Sequence, residues 1–398
     1  MKVNPANAVI IASGREKSIR NRHPWIFSGA ISKTSGNPQQ GELVKVQSSS
    51  GETLGYGTFS PKGSVRVRMI TFDPSLPSGT LISDLAARAC CNRVNDPFLR
   101  STDAFRLIFA EADSLPGLVV DNFAGHLVVQ SSDSGADSFM MEALKGISAV
   151  IDVKSVFERS DHSGRAVENL KPKIRQISGT TPEEIIFHED NLKIRVDVRN
   201  GQKTGFFLDQ RDNRRMIREL ASGKTVINIC SYTGGMSLAA AQGGAVRVIS
   251  VDSSEDALEG FRKNLALNSL TISNEDIVKA DMFRYIRDDS ETISMCDLLI
   301  IDPPAFAKAR NDVNRACRGY KELNMKAMQK MKKGSLLLTC SCSRHISRDL
   351  YRKVIFGAAV DAQRDVVILR EWSHPSDHPI NICHQEGEYL KSMLLRIE

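Results

Sequence analysis

Val226-Ile-Asn-Ile-Cys-Ser-Tyr-Thr-Gly-Gly235 decides the fold class of this chain. Three of its first four residues are β-branched and apolar, which suits a strand buried on both faces. The run then breaks into a turn ending in two glycines, and the helix-like Met236–Ala241 follows. Glycine lets a backbone take left-handed angles and approach a ligand closely just before a helix. The same succession recurs on both sides. Leu192–Val198, Thr225–Ile229, Arg247–Val251, Leu298–Ile301 and Ser335–Thr339 read as strands. Gln210–Ala221, Met236–Ala241, Glu255–Asn268, Tyr320–Met331 and Ser347–Ala359 read as helices. Such alternation predicts a parallel, doubly wound sheet over residues 186–398.

Upstream, the pattern changes twice. In residues 1–75, Gly41-Glu-Leu-Val-Lys-Val-Gln47, Leu54-Gly-Tyr-Gly-Thr-Phe59 and Ser64-Val-Arg-Val-Arg-Met-Ile70 read as short strands separated by turns. Alternation puts Arg66 and Arg68 on one face and Val65 and Val67 on the other. A small β-barrel with a basic outer face is expected, closed by the linker-like Asp73-Pro-Ser-Leu-Pro77. Residues 76–185 mix helices and strands. Leu81, Leu85, Ala89 and Val94 keep helical spacing, Phe105–Phe109, Gly125–Gln130 and Ser155–Phe157 read as strands, and 138–150 reads as a helix.

Charge follows the same three pieces. The 398 residues carry a net charge of +6. Residues 1–75 hold ten Lys/Arg against four Asp/Glu, residues 76–185 eleven against fifteen, and the rest thirty-two against twenty-eight. Basic ends around an acidic middle suit a polyanionic partner. No apolar run approaches the roughly 18 residues of a membrane helix, and Ala8–Ala12 is too short for a secretory core. Eight cysteines in this length do not form a disulfide framework. A cytoplasmic protein with reduced thiols is the expectation.

Ligands of doubly wound sheets sit beyond the carboxyl ends of the strands. Cys230–Gly235 is not G-x-G-x-x-G, which disfavours a pyrophosphate cofactor. Val248-Ile-Ser-Val-Asp252 ends in an acid able to accept both hydroxyls of a ribose; the alternative is a cap for the following helix. Asp281 and Met282 can meet an adenine amine and ring, with a helix cap again the alternative. Leu298-Leu-Ile-Ile-Asp-Pro-Pro-Ala-Phe306 runs a buried strand into a turn stiffened by two prolines. Asp302 can hydrogen-bond the Watson–Crick edge of a flipped base, and Phe306 can stack on it. The ordered series Asn228 to Gly235, Asp252, Asp281 and Asp302-Pro-Pro304 is that of an S-adenosylmethionine-dependent methyltransferase.

Thr339-Cys-Ser-Cys-Ser343 follows the last strand. Pyrimidine C5 is a poor nucleophile until a thiolate adds to C6, so this position suits a nucleophilic Cys. Arg344, His345 and Arg348 supply a positive field that lowers a thiol pKa. Cys340 and Cys342 have the same parity, but Cys342 lies farther past the strand end. No metal is expected: Cys340, Cys342 and His345 are too closely spaced for a zinc knuckle, and His374, His378, Cys383 and His384 are scattered.

At these residues the chain resembles the large-subunit ribosomal RNA methyltransferases that make 5-methylcytosine and carry an N-terminal PUA domain. The likeness covers nearly the whole chain. Arg22-His-Pro-Trp-Ile-Phe-Ser-Gly-Ala30 is similar to the opening of the PUA domain. Glu111–Asp121 and Glu158–Asp161 are similar to the central domain. Thr204-Gly-Phe-Phe-Leu-Asp-Gln-Arg211, Cys230–Gly235, Asp302-Pro-Pro304, Arg318-Gly-Tyr-Lys321 and Ser341-Cys-Ser343 are similar to the catalytic domain. The resemblance implies a multidomain α/β chain: a PUA-like barrel at 1–75, a central α+β domain at 76–185 and a Rossmann-like methyltransferase domain at 186–398.

The resemblance carries the nucleophile onto Cys342, with Asp302 beside it. It places S-adenosylmethionine against Asn228, Cys230, Tyr232, Gly234, Asp252, Asp281, Asp302 and Arg211. RNA is expected against Phe306, Lys62, Arg66 and Arg68, and 23S rRNA, naked or in an assembling subunit, is the implied substrate. Ala305 follows Pro304 where many cytosine-C5 RNA methyltransferases have a second Cys, so Cys317 or water is left to remove the C5 proton. Two other classes stay open: a methyltransferase on another atom, such as guanine N7, which needs no thiolate, and a non-catalytic RNA-binding protein. The oligomeric state is also open, with a homodimer among the options.

Overall fold

The computed structural model describes residues 3–307 and 309–398. The chain divides into two compact units. The first comprises Met1–His188, Val196–Leu208 and Ser376–Gly387; the second comprises Glu189–Arg195, Asp209–Pro375 and Glu388–Glu398.

The first unit opens with β1 (Ala8–Ile11), β2 (Trp25–Phe27), β3 (Ile31–Ser35), β4 (Leu43–Gln47), β5 (Thr53–Phe59) and β6 (Val65–Thr71). They form one six-stranded sheet in the order β2-β6-β5-β4-β1-β3. Only β1 and β4 run parallel, and the other four pairings each carry a register shift. Bulges of this kind bend strands and increase twist, here around a core that includes Val9, Ile26, Val44, Val46 and Val67. The strands read at 41–70 are present; β1 to β3, from a stretch with few alternating residues, were not foreseen.

A second sheet of the same unit contains β7 (Ala104–Phe109), β8 (Leu118–Phe123), β9 (His126–Ser131), β10 (Ser155–Ser160) and β11 (Lys173–Gly179), in the order β11-β10-β9-β8-β7. Helices Leu81–Val94 and Ser134–Ser148 belong to it. The second starts earlier than its apolar spacing suggests, because the Asp133 carboxylate caps it by accepting from Ala136 N. Leu43, Tyr56 and Ile70 of the first sheet share one buried cluster with Ile82, Leu85, Leu107, Leu127 and Phe139. That shared core unites the two sheets in one unit, although a linker-like segment separates them in sequence.

Strand β12 (Ile185–Glu189) falls chiefly in the first unit and β13 (Leu192–Val196) chiefly in the second. The second unit then builds β14 (Thr225–Ile229), β15 (Arg247–Asp252), β16 (Ile277–Lys279), β17 (Leu298–Ile301), β18 (Leu336–Ser341), β19 (Val366–Trp372) and β20 (Lys391–Ile397). Their order is β16-β15-β14-β17-β18-β20-β19. The first five are parallel, and β20 inserts antiparallel between β18 and β19.

Alternate residues feed two cores. Ile227, Ile229, Leu299, Ile301 and Leu337 join helices Val313–Lys330 and Arg348–Ala362 on one face. Val226, Leu298, Ile300, Leu338 and Cys340 join Ile217, Met236 and Ala240 on the other. Helices therefore cover both faces, as continuous apolar strands demand. The antiparallel pair at the sheet end was not foreseen, because β20 arrives from the end of the chain. No helix among the described residues is long and apolar enough to cross a membrane.

Candidate active site

Strand β14 has β15 on one side and β17 on the other, so the chain leaves it in opposite directions. A crevice opens at such a switch point. The Cys230–Gly235 turn lies at its carboxyl end, and Cys230, Tyr232 and Gly234 all take positive φ. The Asp252 carboxylate ties this turn down: Oδ2 accepts from Tyr232 N at 2.8 Å and Oδ1 from Ser254 N at 2.9 Å. Ser254, not Asp252, caps helix Glu255–Leu267. Asp281 does cap a helix, accepting from Arg284 N at 3.0 Å. Cys230 Sγ lies 3.4 Å from Met282 Sδ, which brings the first and third strand ends together.

Other residues of the expected cofactor set lie deeper. Asn228 is fully buried and donates to Ser237 Oγ at 2.9 Å. Arg211 is fully buried, with Nε donating to Glu189 at 3.2 Å. Its neighbour Arg214 donates to the same carboxylate at 2.8 Å, and the two cations hold Glu189 below the ordinary Glu pKa against its burial.

Asp302 stands at the end of β17, and its Oδ2 accepts from Gln210 Nε2 at 2.9 Å. Asn213 in turn donates to Gln210 Oε1 and to Ser392 Oγ. This buried polar chain fixes the Asp302 carboxylate from below. Gln210 lies in the Thr204–Arg211 motif, but nothing in its spacing announces a partner at Asp302. Phe306 packs in an aromatic row, 6.0 Å from Phe283 and 4.6 Å from Tyr320 between ring centroids.

The two candidate thiols part company here. Cys340 is inside β18 and fully buried, with Asn213 Nδ2 at 3.4 Å and Ser392 Oγ at 3.6 Å. Burial, then Asp302, pushes its pKa well above the ordinary thiol value. Cys230 is pushed up likewise, by burial and then by Asp302, Asp252 and Asp281. Cys342 lies one residue past the end of β18, is half-buried, and places Sγ 3.7 Å from the Pro303 carbonyl oxygen. Ser343 Oγ meets Tyr320 Oη at 2.9 Å and accepts from Ala307 N at 3.1 Å, so the nucleophile turn is pinned to the Asp-Pro-Pro turn. Cys317 is half-buried in helix Val313–Lys330, and burial raises its pKa.

Of the expected local cations, Arg348 is engaged by Glu388 at 2.6 Å. Lys391, which the sequence did not reveal, is a buried cation in electrostatic reach of Cys342. In the first unit, Lys62 is exposed, whereas Arg68 sits between Asp133 at 3.2 Å and Glu168 at 2.8 Å. Arg66 Nη1 is buried. Two of the three expected RNA-contacting cations are thus drawn partly inward, Arg68 by the acidic Asp133 and Glu168. Among the described residues, no three His, Cys, Asp or Glu side chains are grouped to hold a metal ion.

The geometry accommodates S-adenosylmethionine. The hydroxyls of Ser231 and Thr233 in the Cys230–Gly235 turn are buried without a partner among the described residues, and Gly234 lets that turn pack directly on the Phe261 ring. Comparison with known proteins agrees. Residues 169–367 match the family model described as S-adenosylmethionine-dependent methyltransferase, and residues 9–72 match a PUA-like domain. Ribosomal RNA large subunit methyltransferase I of Aeromonas salmonicida (strain A449) is 40% identical over 394 residues, covering 98% of each chain.

The chain belongs to the large-subunit ribosomal RNA methyltransferase I family. The member from Escherichia coli (strain K12) is 36% identical over 98% of this chain and 99% of its own. A SAM-dependent methyltransferase structure from Streptococcus mutans shares the fold at 22% identity and TM-score 0.82, covering 98% of this chain and 99% of that one. The structure of SMU.776, a methyltransferase complexed with SAH, does so at 23% identity and TM-score 0.83 with the same coverage. The family's cofactor is S-adenosylmethionine.

Proposed function

We propose that this methyltransferase forms 5-methylcytosine in large-subunit ribosomal RNA through a transient bond between Cys342 Sγ and C6 of the target base. One observation carries the reading: of the two thiols at the end of β18, Cys342 is half-buried beside Asp302-Pro-Pro304, while Cys340 is sealed in the core. The relatives' names supply the rRNA substrate.

S-adenosylmethionine, when bound, would supply an electrophilic methyl group and leave as the neutral thioether S-adenosylhomocysteine, and Tyr232, Gly234, Asp252 and Asp281 at the strand ends would hold it. Asp302, held by Gln210, faces the base edge, and Phe306 offers a stacking surface. The Cys342 thiolate adds to C6, and the C5–C6 double bond opens so that C5 gains electron density and accepts the methyl. C5 then loses its proton to water, the double bond reforms and the thiolate leaves. Without a second Cys after Pro304, water is the simplest acceptor. Residues 1–75 contribute phosphate contacts through Lys62, and residues 76–185 join them to the catalytic domain. An rRNA substrate places the enzyme in the cytoplasm.

RNA containing 5-fluorocytosine tests the reading, because fluorine cannot leave as a proton does. The wild-type protein is expected to form a stable adduct that maps to the Cys342 peptide. Cys342→Ser is expected to lose turnover while still binding S-adenosylmethionine. An adduct on Cys340 or Cys317, or full turnover by folded Cys342→Ser, overturns it.

A further inference from the structure

Lys391 opens β20, is 2% exposed, and pairs across the sheet with Ser341. Its Nζ donates to the Ser343 carbonyl at 2.7 Å and to the Tyr389 carbonyl at 2.6 Å. One residue therefore grips the chain on both sides of Cys342: the Ser341 side by its backbone ladder, the Ser343 side by its ammonium. A buried ammonium is costly unless it is hydrogen-bonded and faces negative charge, and a merely structural tie at this position could be made by an uncharged side chain.

We propose that Lys391 is the positioning residue of Cys342, holding the nucleophile turn in place and keeping a positive charge beside Sγ so that the thiolate forms near neutral pH. The proposal rests on the assignment of Cys342 as nucleophile. The surrounding charges single out this cation. Cys342 interacts with Cys230 after β14, Cys340 in β18 and Tyr320 in helix Val313–Lys330, none of them cationic, and the cations that follow it in its own turn, Arg344 and His345, are exposed where Lys391 is buried. Around Lys391 stand Cys342, Glu388 and Arg348, and Arg348 is already engaged by Glu388. Burial lowers the Lys391 pKa to about 8, while Cys342 and then Glu388 act to raise it. The ammonium form thus predominates at neutral pH and is lost as pH rises through about 8. An adjacent cation lowers a thiol pKa in this way.

The test is the pH profile of Cys342 alkylation by iodoacetamide in the full-length protein, read from the mass of the Cys342 peptide, without RNA or cofactor. Lys391→Met keeps the aliphatic stem and removes the charge; Lys391→Arg keeps a charge. Lys391→Met is expected to move the midpoint up by about one to three pH units, the effect of one close charge, and Lys391→Arg to restore most of it. A folded Lys391→Met protein with an unchanged midpoint overturns the proposal. So does a wild-type midpoint at or above about 8.5, the ordinary thiol value, a measurement that does not depend on either variant folding. Failure of the nucleophile assignment shows separately, as turnover retained by Cys342→Ser.

Discussion

Gly234→Ala attacks the turn on which the cofactor site depends. Gly234 has φ +79°, and an added Cβ would lie 1.8 Å from Cδ2 and 2.4 Å from Cε2 of Phe261. Phe261 is fully buried in helix Glu255–Leu267, so its ring cannot turn out into solvent to make room. Holding alanine in left-handed geometry costs about 1–2 kcal/mol. Forcing a methyl into a packed interior costs about 1–3 kcal/mol more. Together the substitution should remove about 2–5 kcal/mol from a typical total of about 5–15 kcal/mol. The turn can escape part of this only by moving, which carries Tyr232 N away from Asp252. S-adenosylmethionine affinity should therefore fall by at least about tenfold, or 1.4 kcal/mol. Urea unfolding followed by circular dichroism measures the first quantity and calorimetric titration of the folded protein the second. Stability within about 0.5 kcal/mol of wild type, together with unchanged affinity, would refute both the steric and the cofactor argument.

Asp252→Ala removes a carboxylate that accepts from Tyr232 N and Ser254 N, and calorimetry should show cofactor binding weakened by about 1.5–3 kcal/mol; unchanged affinity in a folded protein counts against the site. Burial would raise the Asp137 pKa, but hydrogen bonds from Arg165, Lys173 and Ser131 outweigh it and hold the carboxyl at about 2. The unfolded chain takes up this proton first, so stability should fall by about 2 kcal/mol as pH drops from about 4 to 2; Asp137→Asn should flatten that segment of an acid titration. Arg68→Ala should cost about 3–5 kcal/mol in urea unfolding, because it strands the buried Asp133 and Glu168 carboxylates. Lys62→Ala should leave stability alone and reduce the log–log salt slope of RNA binding by about 0.7; an unchanged slope removes Lys62 from the RNA surface.

Sequence periodicity by itself determined the layered fold of residues 186–398. Val226–Ile229 is apolar at every position but Asn228 and Leu298–Ile301 at every position, and only a strand covered on both faces hides both sets of side chains. The order of the strand-end motifs then fixed the cofactor class, because each acid or glycine follows its strand directly. Pairings across long separations were not determined in this way. The insertion of β20 beside β18 depends on residues separated in sequence by a helix and a further strand, and it alone brings Lys391 to Ser341 and Ser343. The difference between Cys340 and Cys342 was equally hidden: they share parity, and only the packing of Asn213 and Ser392 around Cys340 seals it. Arg68 reads as an outward cation until Asp133, which caps helix Ser134–Ser148, and Glu168, at the end of the Ser163–Glu168 turn, arrive beside it. Local pattern encodes what a strand or turn needs from its immediate neighbours. Burial, charge pairing and thiol reactivity are set by residues that only the folded chain brings within a few ångströms.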